Sequence, residues 1–189
     1  MSHVVVVYHS GWGHTKAQAE AVLRGVQQVG NVTGQLVSVD DFQTYEQDFE
    51  RADAIVFGCP TYMGSTSAAF KTFMDATSKI WHNQKWANKI AAGFTNSGSQ
   101  NGDKLMTLTQ LFTFAMQHSM VWIGLGLMPG NNSSHGSVDD LNRLGSFMGA
   151  IAQSNIDQSA DQAPPEADLK TAEHLGTRVA KATLNWKKI

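Results

Sequence analysis

Six residues behind a run of valines hold the densest chemistry in the chain: Ser10, Gly11, Trp12, Gly13, His14 and Thr15. Where a strand gives way to a helix, unpaired backbone N–H groups and the helix dipole favour a phosphate. Ser10 and Thr15 add hydroxyl donors, while Gly11 and Gly13 let the main chain approach a ligand closely. The plain alternative is an ordinary strand-to-helix turn. Two further segments repeat the mixture. Pro60, Thr61, Tyr62, Met63 and Gly64 form one, and Asn96, Ser97, Gly98, Ser99 and Gln100, running on to Gly102, form the other. Together the three offer donors, close backbone approach and flat surfaces for an aromatic, phosphorylated ligand.

Other chemistries lack their residues. A P-loop needs G-x-x-x-x-G-K-[ST], which the first loop does not supply. A dinucleotide fingerprint needs a third small residue where Lys16 stands, although Asp40 occupies a plausible ribose position. There is no Gly-x-Ser-x-Gly elbow for a serine hydrolase. The seven histidines form no compact ligand motif, so no metal is expected. Cys59 is the single cysteine, which excludes a disulfide framework and reads as a small hydrophobe at a buried strand end.

These loops must be placed by strands and helices. Residues 4–7 are β-branched without alternation, the pattern of a strand buried on both faces. Further strands are predicted over 35–39, 54–59 (halted by Pro60), 90–95 and 121–125. Helical spacing runs through 16–28, 68–81, 105–118 and 167–184, with loop and a short helix over 42–51. Residues 145–152 fit a strand extension or a loop. Five buried strands separated by helices predict an α/β fold, a doubly wound five-stranded parallel sheet with helices on both faces. In such a sheet the loops after Val7, Cys59 and Thr95 meet at one edge, where ligands bind at the topological switch point.

The chain has 189 residues, so residues 1–189 are read as one domain. Lys plus Arg total 14 against 16 acids, a net charge of −2, which argues against nucleic acid as a partner. Charged residues are 16% of the chain, below the roughly 25% of average usage, and this fits a surface partly covered by other subunits. The first residues lack a basic n-region, and no segment approaches the ~20 apolar residues of a membrane span. A soluble, cytoplasmic protein is expected.

At these loops the sequence resembles the flavodoxin-like flavoproteins, above all the family of WrbA-type NAD(P)H:quinone oxidoreductases. The matching pieces are Ser10-x-x-Gly13-His14-Thr15, Gly58-x-Pro60-Thr61-x-x-Gly64, Phe70-Lys71-x-Phe73-x-Asp75-x-Thr77 with Trp81, Phe94-Thr95-x-Ser97-Gly98 and His118-Ser119-Met120. They keep their order over residues 1–125. The resemblance implies a flavodoxin-like domain that binds FMN, with the phosphate in the first loop and the ring between the second and third. Thr61, Tyr62 and Met63 would contact the ring, and Asn96, Ser97, Gly98, Ser99 and Gln100 its pyrimidine edge or ribityl chain. NADH or NADPH would be the co-substrate and a quinone-like small molecule the acceptor; the alternative is a flavodoxin-like electron carrier or flavin-binding regulatory module without turnover of its own. Trp81 and His118 match positions on the substrate side of the flavin, often supplied by a neighbouring subunit, so a homo-oligomer (dimer or tetramer) is implied. Trp12 either shields the flavin or packs under its loop. His118 is a candidate hydrogen-bond donor to the reduced acceptor, with a core or helix-capping histidine as the alternative. The chain departs from the family at Tyr62 and Met63, where Arg and Phe are usual, and at Gln117-His118-Ser119, where His-His-Gly is common.

Overall fold

In the computed structural model, which describes residues 1–186, the opening valines form β1 (Ser2–Tyr8) and are fully buried on alternating faces. Val4 and Val6 enter one apolar cluster, Val5 and Val7 the other. The chain continues through α1 (His14–Gln27), β2 (Val32–Ser38), α2 (Phe42–Arg51), β3 (Ala54–Tyr62), β4 (Ser65–Thr66) and α3 (Ala68–Ala76). It then forms α4 (Ser78–His82), β5 (Ile90–Ser97), α5 (Lys104–Gln117), β6 (Val121–Trp122), β7 (Ala150–Gln153) and α6 (Glu166–Trp186). The sheet order is β2-β1-β3-β5-β6, with every neighbour along it parallel.

The two faces are covered by different helices. Val22 and Val26 of α1 pack with Leu175 and Val179 of α6 on one side. Phe49, Phe73, Ile80, Leu108, Leu111 and Phe114, from α2 to α5, cover the other. The α1–α6 crossing is close enough that glycine is needed at it. A Cβ on Gly25 would lie 1.8 Å from the Glu173 carbonyl oxygen, and one on Gly176 would lie 2.0 Å from that of Val22. The doubly wound parallel sheet expected from the sequence is therefore present, and its switch point lies between β1 and β3.

Four local expectations are corrected. Residues 42–51 form a continuous ten-residue helix, because Phe42 and Phe49 both bury against Phe73 and the apolar spacing spans its whole length. Pro60 does not halt β3. Pairing with β1 ends at Tyr8 and Gly58, leaving an edge on that side, where proline is tolerated. The helix predicted over 68–81 breaks at Thr77, whose hydroxyl donates to the Met74 carbonyl at 2.7 Å. Finally, the fifth strand is split. β6 pairs only with Ile90 and Ala91, and Ile123 N–H donates to the Ala91 carbonyl. The chain then leaves the sheet, and β7 returns to pair with residues 94–97 of β5. That return settles residues 145–152 as a strand from Ala150 onward. Among the described residues no helix is long and apolar enough to cross a membrane.

Candidate functional site

Because β1, β3 and β5 run parallel, the loops after them emerge at the same sheet edge. They enclose a crevice of about 690 Å³ lined by Ser10, Trp12, His14, Thr15, Pro60, Thr61, Tyr62, Asn96, Ser97 and Gly98. An adjoining recess is lined by Met63, Gly64 and Ser99, and it shares Thr61, Ser97 and Gly98 with the crevice. Gln100 lies on the lining of neither; its carbonyl accepts a hydrogen bond from Lys104 Nζ at 3.0 Å.

The first loop is shaped by its glycines. Gly13 caps α1 with φ +90°, a backbone that L residues rarely adopt, and a Cβ there would sit 2.8 Å from that of Ala160. At Gly11 a Cβ would lie 2.6 Å from the Tyr62 hydroxyl. Gly13 N–H donates to Ser10 Oγ at 3.0 Å, which folds the loop over the start of α1. The first-turn N–H groups of α1 have no partner within the helix. None of the residues lining the crevice is an acid, lysine or arginine, so an anion there meets hydroxyl, amide and backbone N–H donors, the His14 ring and the helix dipole.

Trp12 is 81% exposed, so it does not pack beneath its loop. Met63 is fully exposed and Tyr62 partly so, and the three place flat or flexible apolar surface around the opening. Burial pushes the Tyr62 hydroxyl pKa up, which keeps it a phenol. Thr61 Oγ1 lies 2.8 Å from both Thr95 Oγ1 and Thr107 Oγ1, and this buried hydroxyl cluster fixes the root of the second loop. Gln110 Oε1 accepts from Ser65 Oγ, Thr66 N–H and Thr66 Oγ1, pinning the β3–β4 hairpin that carries Tyr62 to Gly64.

A fourth wall has no clear mark in the sequence. Ser154, Ile156, Gln158, Ser159 and Ala160 line the crevice beside the other three loops. Ser154 N–H donates to the Ser97 carbonyl at 3.0 Å and Ser154 Oγ to Asn96 Oδ1 at 3.2 Å. His14 Nε2 lies 2.8 Å from the Gln158 carbonyl. Its one sequence signal is a polar Ser-Asn stretch directly after residues 145–152, which fit a strand or a loop equally.

Trp81 and His118 come together elsewhere. They line a recess of about 430 Å³ with Lys71, Met74, Thr77 and Gln117, and it shares no lining residue with the crevice. Trp81 is exposed, but His118 is buried against Trp86 and Phe114. Thr77 spends its one hydroxyl proton on the Met74 carbonyl, so it accepts at 3.0 Å from His118 Nε2–H. The ring is therefore neutral with a bare Nδ1, which has no partner. Its donor is already committed inside the chain.

Burial lowers the His118 pKa from 6.5 to about 4. The unfolded chain thus binds the extra proton first as pH falls. Stability is full above about pH 6.5 and is lost on acidification toward pH 4. We predict that this one residue removes about 2 kcal/mol of unfolding free energy between pH 7 and pH 5. Urea melts of wild type and His118→Phe check this: the difference between the two proteins should shift by that amount, and equal pH dependences would refute it.

Cys59 is fully buried and its thiol is pushed up to about 12 by desolvation, so it supplies no nucleophile. Among the described residues no group of three or more His, Cys, Asp or Glu could hold a metal ion.

Residues 13–134 match the model of the NADPH-dependent FMN reductase family. The chain is 44% identical over 185 residues to flavodoxin FldP of Pseudomonas aeruginosa, covering 96% of each chain. It is 28% identical to an NAD(P)H dehydrogenase (quinone) of Trichlorobacter lovleyi, over 97% of this chain and 98% of that one. Among solved structures, the flavodoxin, WrbA-like protein from Agrobacterium tumefaciens matches with a TM-score of 0.77 and 38% identity, over 98% and 99% of the two chains.

Proposed function

The chain belongs to the NADPH-dependent FMN reductase family, within its flavodoxin-like, WrbA-type members, and on that premise we propose an FMN-dependent oxidoreductase passing two electrons from NADH or NADPH to a quinone-like small molecule. The observation that supports this most is the convergence of three loops on one crevice at the switch point of the sheet.

The residues fit FMN. The first loop is a cradle that a Cβ at Gly11 or Gly13 would fill, and its hydroxyls and N–H groups are donors suited to a phosphate. The crevice volume lies within the roughly 300–1,000 Å³ usual for cofactor sites. When bound, FMN supplies the redox chemistry by accepting hydride and passing electrons on. The protein binds and orients. Ser10, Thr15 and the first-turn N–H groups of α1 hold the phosphate. Trp12, Tyr62 and Met63 border the ring, while backbone N–H groups near Tyr62–Gly64 or Ser97–Ser99 bond its polar edge. Trp81 and His118 line the acceptor side of another subunit's crevice in a homo-oligomer. His118 serves there as a rigid wall, since its Nε2–H is held by Thr77.

The second reading, an electron carrier or flavin-binding regulatory module without turnover of its own, is favoured by the similarity to flavodoxin FldP. A steady-state assay separates the two. Protein supplied with FMN, NAD(P)H and benzoquinone should consume the nucleotide; bound flavin without consumption would favour the carrier. We further predict that Ser10→Ala and Thr15→Ala each weaken FMN binding by about 1.5–3 kcal/mol, the worth of a hydrogen bond to a charged group. Fluorescence titration of FMN measures it, and unchanged affinity in both variants would refute the phosphate assignment.

A further inference from the structure

Lys104 is the first residue of α5 and is only 1% exposed. A lysine there is costly twice over, since burial removes its hydration and the helix dipole opposes a cation at this end. The expense is offset by the third loop, which curls around the ammonium. Nζ donates to Ser97 Oγ at 2.8 Å, to the Ser99 carbonyl at 2.6 Å and to the Gln100 carbonyl at 3.0 Å. Ser97 Oγ in turn donates to the Ser99 carbonyl at 3.1 Å. The curl is tight: Gly102 has φ +56°, and a Cβ on it would lie 2.1 Å from Ser97 Oγ. From the other side, Gln153 Nε2 donates to the Gly98 carbonyl at 3.0 Å. The loop is therefore held from within, by carbonyls drawn toward one cation.

That arrangement has a consequence for the outer surface of the loop. In a trans peptide the C=O and N–H point in opposite directions. Drawing the Ser99 and Gln100 carbonyls onto Nζ turns the N–H groups of Gln100 and Asn101 away from it. We infer that Lys104 is a positioning residue for the cofactor: by holding Ser97 Oγ and the Ser99 and Gln100 carbonyls it fixes the third loop, whose Ser97 and Gly98 line the crevice and whose Ser99 lines the adjoining recess, and it places a positive charge behind that loop, favouring the reduced, more negative flavin over the oxidised one. This rests on the FMN reading above. Burial lowers the Lys104 pKa to about 8, which still leaves most of it charged at pH 7. Asp168, which favours the charged form, and Arg143, which opposes it, are the other ionic groups acting on it.

The test compares FMN affinity in both redox states for wild type, Lys104→Met and Lys104→Gln, with circular dichroism as the check on folding. Lys104→Met should weaken oxidised FMN about tenfold and reduced FMN about tenfold more than that, as one charge-assisted contact and one charge are lost. Lys104→Gln keeps a donor without the charge. It should bind oxidised FMN more tightly than the Met variant does, yet still lose the preference for the reduced form. If Lys104→Met does not fold, the Gln variant and wild type alone decide the charge effect. Unchanged affinities, or an equal loss in both redox states, would overturn the inference while leaving the FMN site standing. No FMN uptake by wild type would overturn both.

Discussion

Replacing Asp168 by Ala is expected to remove about 3–5 kcal/mol of stability, the usual consequence of stranding one member of a buried ion pair. Asp168 and Arg143 have side chains only 2% and 8% exposed, and their contact is bidentate, Nε to Oδ1 at 2.8 Å and a terminal guanidinium nitrogen to Oδ2 at 2.9 Å. The carboxylate also accepts from Gln153 N–H at 2.9 Å, which ties α6 to the end of β7. Its loss would leave the guanidinium desolvated without a counter-charge, a far larger effect than removing an exposed pair such as Lys71–Asp75. Urea unfolding of the two proteins measures the difference. A second variant separates the pair from its parts: Asp168→Leu with Arg143→Met should recover much of the loss, because apolar packing often replaces a buried pair without penalty. A change below about 1 kcal/mol in Asp168→Ala would mean that the pair is solvated in solution.

Gly13→Val is expected to abolish useful FMN affinity, by at least about a hundredfold, which corresponds to roughly 2.7 kcal/mol. A β-branched residue at φ +90° is strained by about 1–3 kcal/mol, and its Cβ would start only 2.8 Å from Ala160. Either the loop refolds and moves the Ser10 contact, or residues 154–160 are displaced and the fourth wall of the crevice opens. Both disturb the phosphate end. Equilibrium dialysis with FMN reads the loss directly, and a thermal melt shows whether the fold survives. Wild-type affinity in this variant would show that the first loop is not the anchor.

The sheet was legible because burial on both faces leaves a plain mark: Val4–Val7 cannot alternate when each side is covered by helices. The site was legible for a related reason. Parallel strands deliver their following loops to one edge, so Ser10–Thr15, Pro60–Gly64 and the loop from Asn96 group together on the strand pattern alone. What escaped was set by tertiary contacts rather than local pattern. The break at Thr77 depends on a hydroxyl choosing the Met74 carbonyl and on His118 donating from 41 residues away. The split fifth strand depends on residues 126–149 leaving the sheet and coming back. Lys104 lies just before the helical spacing of residues 105–118, and nothing in its sequence context marks it. Only the folded loop shows that three oxygen atoms surround it. His118 illustrates the converse: its motif is visible in sequence, but the tautomer follows from counting the protons of its neighbour.

We propose that the crevice between the loops after β1, β3 and β5 holds FMN. A crystal structure of the protein grown with FMN tests it most directly. The phosphate is expected over the first turn of α1, between Ser10 and Thr15, with the ring bordered by Tyr62, Met63 and residues 96–99. Flavin bound at another surface, or a crevice containing only water at saturating FMN, would contradict it.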